Sequence, residues 1–403
     1  MTPRRYAVVG AGIVGLAVAR RILECTPDAQ VTVLEKEDRV GAHQSSHNSG
    51  VIHAGLYYRP GSLKAELTRR GRHLLTEFCA AAAVPVVTCG KLVVALDAGE
   101  LGALDEIERR ARDNGVPIRR VEGAELRAIE PHAAGVAALH SPATAVVDYG
   151  RVAAALATDV SARGGSVLCG NAVSEIVRSF SAAGESVVLR SASTEVEVDR
   201  AVICAGLFSD RVAALAGAPA DPAIVPFRGE YYRIVPERAH LVRALLYPVP
   251  DPRYPFLGVH FTRRVAGGVD VGPNAVLALG REAYRRSDLD RRDLAELLAW
   301  PGLRRLAWHH WPAGVREVAS SVSKLVFLAA ARSYVPDLRL RDLVPAPSGI
   351  RAQAVDRAGR LVDDFVVHDL GPVLAVRNAP SPAATSSLAI AEHLVDRLVG
   401  APA

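Results

Sequence analysis

The chain has 403 residues, half of them apolar and 23% charged, with a formal net charge of +5. This length exceeds what one small core needs and predicts two domains or one large composite one, and the composition reads as soluble and globular. The cations are scattered along the chain, so a nucleic-acid stripe is excluded while a small anionic substrate or an anionic surface is not.

Five cysteines (Cys25, Cys79, Cys89, Cys169 and Cys204) are odd in number, widely spaced and without a CxxC. They predict a reducing compartment, no disulfide framework and no metal site. No charged-then-apolar leader precedes Tyr6, and no run of 18 apolar residues follows. A transmembrane segment is not expected. The expected location is cytoplasmic, with peripheral contact at the inner face of the membrane left open.

In chain order, Tyr6–Val9 reads as a strand, Val14–Leu23 as a helix and Gln30–Leu34 as a second strand, which is a β-α-β unit. Leu63–Ala82 has helical periodicity, with Pro60 near its first turn. Lys91–Asp97 is a strand. Glu100–Asn114 is an amphipathic helix ended by Gly115 and Pro117. A short helix precedes Pro131, and Tyr149–Arg163 is another helix. "SVLCGNAVSEIVRS" and the strands after it predict a small antiparallel meander that rejoins a parallel sheet at Arg200–Cys204. Ile224–Val271 is strand-rich. Arg281–Ala307 reads as one helix with a solvated, mixed-charge face, and His309 and His310 as packing or surface residues. "LVDDFVVHD", "PVLAVRN" and a helix from Ala383 to Val399 return to α/β character.

Gly10, Gly12 and Gly15 form GxGxxG between the first strand and its helix. The glycines allow a tight turn, the approach of a pyrophosphate and close helix packing. Ile13 and Val14 begin the helix, whose N-terminus faces the phosphates. Glu35, 20 residues after Gly15, can take both ribose hydroxyls, and Lys36 follows it. The motif alone does not separate FAD from NAD. Two segments favour FAD: "AVICAGLFSD", a second strand-to-glycine turn at Ala205 and Gly206, and "CGNAVSEI", a strand at Val173 able to pair with an adenine edge.

Seven long words follow in order: "HNSGVIHAGLYYRPGSLKAEL", "FRGEYYRI", "LLYPVPDPRYPFLGVHFTRR", "VDVGPNAVLALGREAY", "GIRAQAV", "LVDDFVV" and "RNAPSPAATSSLAIAEHL". In these words, across nearly its whole length, the chain resembles the L-2-hydroxyglutarate oxidase/dehydrogenase family, within the D-amino-acid-oxidase-like superfamily. The resemblance implies an α/β fold: a Rossmann-like FAD-binding domain of the GR2/DAO type with an inserted, mainly antiparallel substrate domain. The first would take residues 1–85, 145–222 and 340–403, and the second 86–144 and 223–339. The resemblance implies FAD as cofactor and oxidation of a small anionic 2-hydroxy acid, L-2-hydroxyglutarate, to 2-oxoglutarate, with dioxygen or a quinone chain as acceptor. Another hydroxy acid, alcohol or amine, and a flavin-binding partner without turnover, are the alternatives.

The chemistry needs C2–H aimed at flavin N5, a base for the hydroxyl proton and a clamp for the carboxylate. Arg351, just after Gly349, matches the superfamily's carboxylate-binding arginine, with Gln353 assisting. His53 in "VIHAG" is the first candidate base and His260 in "LGVHFT" the second. Tyr57, Tyr58 and Arg263 are candidates for the distal carboxylate or pocket wall, with Tyr231 and Tyr232 behind them. Gln44, Ser45, Ser46, His47 and Asn48 are expected to face the flavin or its diphosphate. Asn378, Ala379, Pro380, Ser381, Ala383 and Ala384 are expected to bring a helix N-terminus to the flavin ring. One departure stands out: the family pattern has a histidine where this chain has Ala375.

Overall fold

The structure is a computed structural model that describes residues 4–181, 184–250 and 257–399. The segment "PFLGVHFTRR" therefore begins, at Pro255 and Phe256, outside the described residues.

The β-α-β unit forms as its pattern predicts: strand Arg5–Val9, helix Ile13–Cys25 and strand Gln30–Leu34. These belong to a six-stranded sheet that runs Val366–Asp369, Val373–Asn378, Arg200–Ile203, Arg5–Val9, Gln30–Leu34, Ser166–Leu168. All neighbours in it are parallel except the Val366–Asp369 edge. Parallel strands covered on both faces are apolar throughout, and Ala7, Val8, Val33, Ala201 and Val202 are fully buried here. Helices Ile13–Cys25, Tyr149–Ala162 and Ala383–Val399 cover one face. The meander Glu175–Ser181, Gly184–Arg190 and Glu195–Val198 covers the other.

Helix Leu63–Ala81 starts at Ser62, whose hydroxyl accepts from the Ala65 N–H. Pro60 therefore lies before the cap and outside the first turn. The helix lies against Ala383–Val399 so closely that a Cβ on Gly71 would meet Ser386 Cα at 2.5 Å.

A second, nine-stranded sheet is built mainly from antiparallel pairs. The long strands Ala223–Ile234 and Leu343–Val355 pair along most of their length, and Leu245–Pro248 beside Lys91–Ala95 is its one parallel pair among the described strands. A further small sheet joins Val51–Ile52 and Val86–Thr88 to Ala145–Val147, so the segment carrying His53 is tied in at its start.

Three expectations are corrected. Arg281–Ala307 is not one helix: turns occupy the stretch to Asp290, whose carboxylate caps helix Arg291–Ala299, and a new helix begins at Pro301. The residue before a proline avoids helical backbone, so the break falls at Trp300. Nor is that charge run wholly solvated, because Arg281 is buried against Asp210 at 2.5 Å. Val173 lies outside any strand, in the connection that ends at Glu175. Helices also continue past residue 307, over Pro301–Val322 and Lys324–Arg332, with non-helical backbone at His310 just before Pro312.

Candidate active site

The dinucleotide end is set by contacts that only glycine permits. Gly10 has φ of +104°, and a Cβ there would meet the Cys204 carbonyl oxygen at 2.5 Å. This is where the Ala205–Gly206 turn meets the first one. A Cβ on Gly15 would collide with the Gly10 carbonyl. A Cβ on Gly12 would meet nothing of the protein closer than Ser45 Oγ at 3.4 Å. The turn is thus closed on its protein side and open at Gly12, which fits a diphosphate approaching the helix N-terminus.

Glu35 is buried at the end of its strand, and its carboxylate accepts from the Ala11 N–H at 2.7 Å and the Glu37 N–H at 3.0 Å. The segment carrying Val173 passes alongside: Gly170 and Asn171 N–H donate to the Glu37 and Glu35 carbonyls. Lys36 is engaged elsewhere, with Glu37, Glu282 and His43.

The loop Gln44–Asn48 is braced mostly by itself. Ser45 Oγ accepts from the Ile13 N–H at 2.9 Å, which places it at the start of the nucleotide helix beside the partly buried Val14. Gln44 reaches toward Gly206. Ser46 donates to the Gly41 carbonyl, and the Asn48 amide donates to Gln44 and Ser45 and accepts from Gly50. The His47 ring packs on Tyr284. Ser46 and Asn48 thus shape the loop through their side chains. Gly349 lets it pass, since a Cβ there would strike the His47 carbonyl. Arg264, which the sequence reading did not single out, locks the loop by donating to the Asn48 carbonyl at 2.8 Å and to Asp270 at 2.5 Å.

At the other end, Asn378 donates to the Val362 and Asp364 carbonyls. The Pro380 carbonyl accepts from Ala383 N–H at the helix start, Ser381 is exposed, and Ala379, Ala383 and Ala384 pack on the core. Thr385 accepts from the His53 backbone N–H at 3.1 Å and bonds the Tyr149 hydroxyl at 2.9 Å. His53 is thereby pinned to the first turn of that helix.

His53, His260 and Arg351 come together from three separate elements. Burial drives the imidazole of His53 down to about 3 and that of His260 down to about 4, with Lys91 and Arg351 adding to both shifts. Lys64 adds to the first, and the two histidines also interact. Both rings are therefore neutral through the physiological range. His260 Nδ1 lies 2.9 Å from the Gly258 carbonyl. A carbonyl can only accept, so Nδ1 carries the proton and Nε2 keeps its lone pair. The ring also stacks on Tyr247, with centroids 4.1 Å apart.

Arg351 pairs across the sheet with Phe227, keeps solvent access and is nonetheless set deep enough among protein atoms to be desolvated. Burial lowers its pKa. Burial also raises the phenols of Tyr57, Tyr58 and Tyr231, which stay protonated. Lys64 Nζ sits over the Tyr58 ring and holds Asp363 at 2.8 Å.

Two predicted residues are not brought to this group. Arg263 follows His260 by three positions in a strand, so it projects from the opposite face. It donates to the Arg243 carbonyl and lines a separate surface groove with Cys89 and His140. Gln353 turns its amide to the Ala354 and Val362 carbonyls. Ala375, where the family pattern has histidine, is fully buried in the core under the parallel sheet, beside Ala7 and Ile203. Lys91 and Tyr247, which neighbour the two histidines, were also not singled out by sequence reading.

The family model "FAD dependent oxidoreductase" (DAO) matches residues 5–397. The chain is 44% identical over 385 residues to the L-2-hydroxyglutarate dehydrogenase of Indibacter alkaliphilus, covering 95% of this chain and 96% of that one. It is 42% identical to the mitochondrial L-2-hydroxyglutarate dehydrogenase of Homo sapiens, covering 97% and 88%. Its fold matches an L-alpha-glycerophosphate oxidase from Mycoplasma pneumoniae with FAD bound, at a TM-score of 0.77, 21% identity and coverage of 99% and 95%. A glycine oxidase from Geobacillus kaustophilus matches at a TM-score of 0.73 and 18% identity, covering 99% and 96%. The cofactor is FAD, which the open turn at Gly12 and the buried Glu35 fit. The chain belongs to the L-2-hydroxyglutarate dehydrogenase family of FAD-dependent oxidoreductases.

Proposed function

We propose that this protein oxidises the C2 hydroxyl of L-2-hydroxyglutarate to give 2-oxoglutarate. The observation that carries this reading is the convergence of Arg351 and Lys91 on two buried, neutral histidines, with Lys64 also near His53. Such a group suits an anion and repels an ammonium, which counts against an amine donor. Asp363, a carboxylate within reach of Arg351, is already held by Lys64.

Arg351 holds the C1 carboxylate through its planar fork. His260 takes the hydroxyl proton at Nε2, and His53, fixed through Thr385, borders the same space. Burial holds both rings neutral, and the negative charge of bound substrate raises their basicity where it is needed. Bound FAD supplies the two-electron acceptor for the C2 hydride. Residues 1–85, 145–222 and 340–403 carry the cofactor in this reading, and 86–144 and 223–339 the substrate. The experiment is anaerobic addition of L-2-hydroxyglutarate to the yellow protein. The flavin absorbance is expected to bleach, while the D-isomer, glycine and L-proline leave it unchanged.

For the acceptor side, no helix among the described residues is long and apolar enough to cross a membrane. Trp308, Trp311, Val315, Val318, Val322 and Leu325 are nevertheless exposed along the helices Pro301–Val322 and Lys324–Arg332. The charged residues of that stretch are Arg304, Arg305, Arg316, Lys324 and Arg332 against Glu317 alone, which faces inward to the Ala275 N–H. An apolar stripe with tryptophans and a one-sign cationic surround suits an anionic lipid surface, whereas a second copy would meet like charge. This supports peripheral docking of a cytoplasmic protein on a membrane, where a quinone is the acceptor. Co-sedimentation with phosphatidylglycerol vesicles is expected, and the pair Trp311→Ser and Val322→Ser is expected to abolish it. Equal sedimentation of the paired variant and the parent would contradict it.

A further inference from the structure

We propose that Lys91 is the counter-ion for the substrate's second carboxylate, and that it sets a preference for dicarboxylate over monocarboxylate 2-hydroxy acids. The proposal rests on the reading of the site as one for a 2-hydroxy acid.

Lys91 begins the strand Lys91–Ala95, in which every residue is buried. It pairs with Leu245 on one side and Ser141 on the other, so the backbone fixes it in the middle of the nine-stranded sheet. The residue is 2% exposed. Nζ lies 3.7 Å from the centroid of the Tyr247 ring and 4.6 Å from that of Tyr57. No carboxylate among the described residues forms an ion pair with it. Two aromatic faces offset only part of the cost of burying a cation. A buried ammonium without an acid is poorly explained as a structural element, because apolar residues of that volume would serve the sheet better. It is well explained if an anion arrives with the ligand.

What surrounds it points the same way. The Tyr57 hydroxyl is buried without a hydrogen-bond partner among the described residues, so a second polar atom here awaits one. Lys91 and Arg351 act on both His53 and His260, although Arg351 belongs to the long strand pair and Lys91 to the strand beside Leu245–Pro248. Two cations from different strands, both near the two histidines, match a substrate that has a carboxylate at each end.

The charge state of Lys91 gives the proposal a signature. Burial alone pulls its pKa down to about 7. The titratable groups that face it are Tyr57 and Tyr247, both raised by burial, and His53 and His260, both neutral above about pH 4. Between pH 5 and pH 9, on these shifts, Lys91 is the member of this group that changes charge. A carboxylate binds the protonated form. Below about pH 7 the lysine is already charged in the free site, and above it each dicarboxylate must bring a proton with it. Affinity for the dicarboxylate therefore falls as pH rises through that value.

The test compares L-2-hydroxyglutarate with its 5-amide, which keeps the reacting end and loses the distal charge. In the parent protein, KM for the diacid is expected to rise above about pH 7 by up to tenfold per pH unit, and KM for the amide to stay flat. Lys91→Met is expected to raise KM for the diacid on the order of 30-fold and to leave the amide within about threefold. Binding of glutarate and butyrate, read as a perturbation of the flavin spectrum without turnover, should split in the same way. If Lys91→Met is colourless, the parent's two pH profiles decide. Parallel profiles for diacid and amide, or equal losses on both in the variant, would overturn the assignment of Lys91. Failure of the parent to oxidise either compound would instead overturn the substrate reading.

Discussion

Gly15→Ala is expected to give a colourless, destabilised protein. The added Cβ would collide with the Gly10 carbonyl, which is backbone within the tight turn and cannot swing aside. Overpacking of this kind costs about 1–3 kcal/mol where side chains can yield, and more where only backbone is available. Gly12→Ala is the informative companion, because its Cβ meets only Ser45 Oγ at 3.4 Å. It is expected to melt close to the parent temperature in the absence of FAD and to hold FAD more weakly. If both variants retain full flavin absorbance, the diphosphate does not lie against this turn.

Arg351→Ala is expected to cost on the order of 10²–10³-fold in kcat/KM for L-2-hydroxyglutarate, the range for losing one partner of an enclosed charge pair. Flavin content and spectrum should be unchanged. Arg351→Lys should recover only part of the loss, since an ammonium cannot supply the planar fork. Steady-state kinetics on the flavin-replete variants checks this. An alanine variant with KM and kcat near the parent's would remove the carboxylate clamp from the account.

Much of this was legible in the residues. Period and glycine placement give the β-α-β unit, and the apolar words near the C-terminus give the strand Val373–Asn378 and the helix Ala383–Val399. His53, His260 and Arg351 are far apart in sequence, and resemblance together with residue chemistry was enough to group them. Lys91 was not legible, because a lysine opening "KLVVA" looks like the charged end of a strand. Only pairing with Leu245 and Ser141 shows that both sides are covered. Arg263 and Arg264 were indistinguishable by composition, and strand alternation turned one toward a surface groove and the other toward the Asn48 carbonyl. The helices beyond residue 307 were obscure for a related reason: their large apolar side chains point outward, so periodicity there describes a surface.

The order of the two histidines also changed. Sequence context favoured His53 because glycine and apolar residues flank it. The bond from His260 Nδ1 to the Gly258 carbonyl fixes a tautomer with a free Nε2, and that is long-range information that flanking residues do not carry.

The most direct test of the central claim is the anaerobic spectrum of the purified protein with L-2-hydroxyglutarate. The account predicts a yellow protein whose flavin bleaches stoichiometrically with the formation of 2-oxoglutarate. A flavin that stays oxidised with this compound but bleaches with another alcohol or with an amine would contradict it.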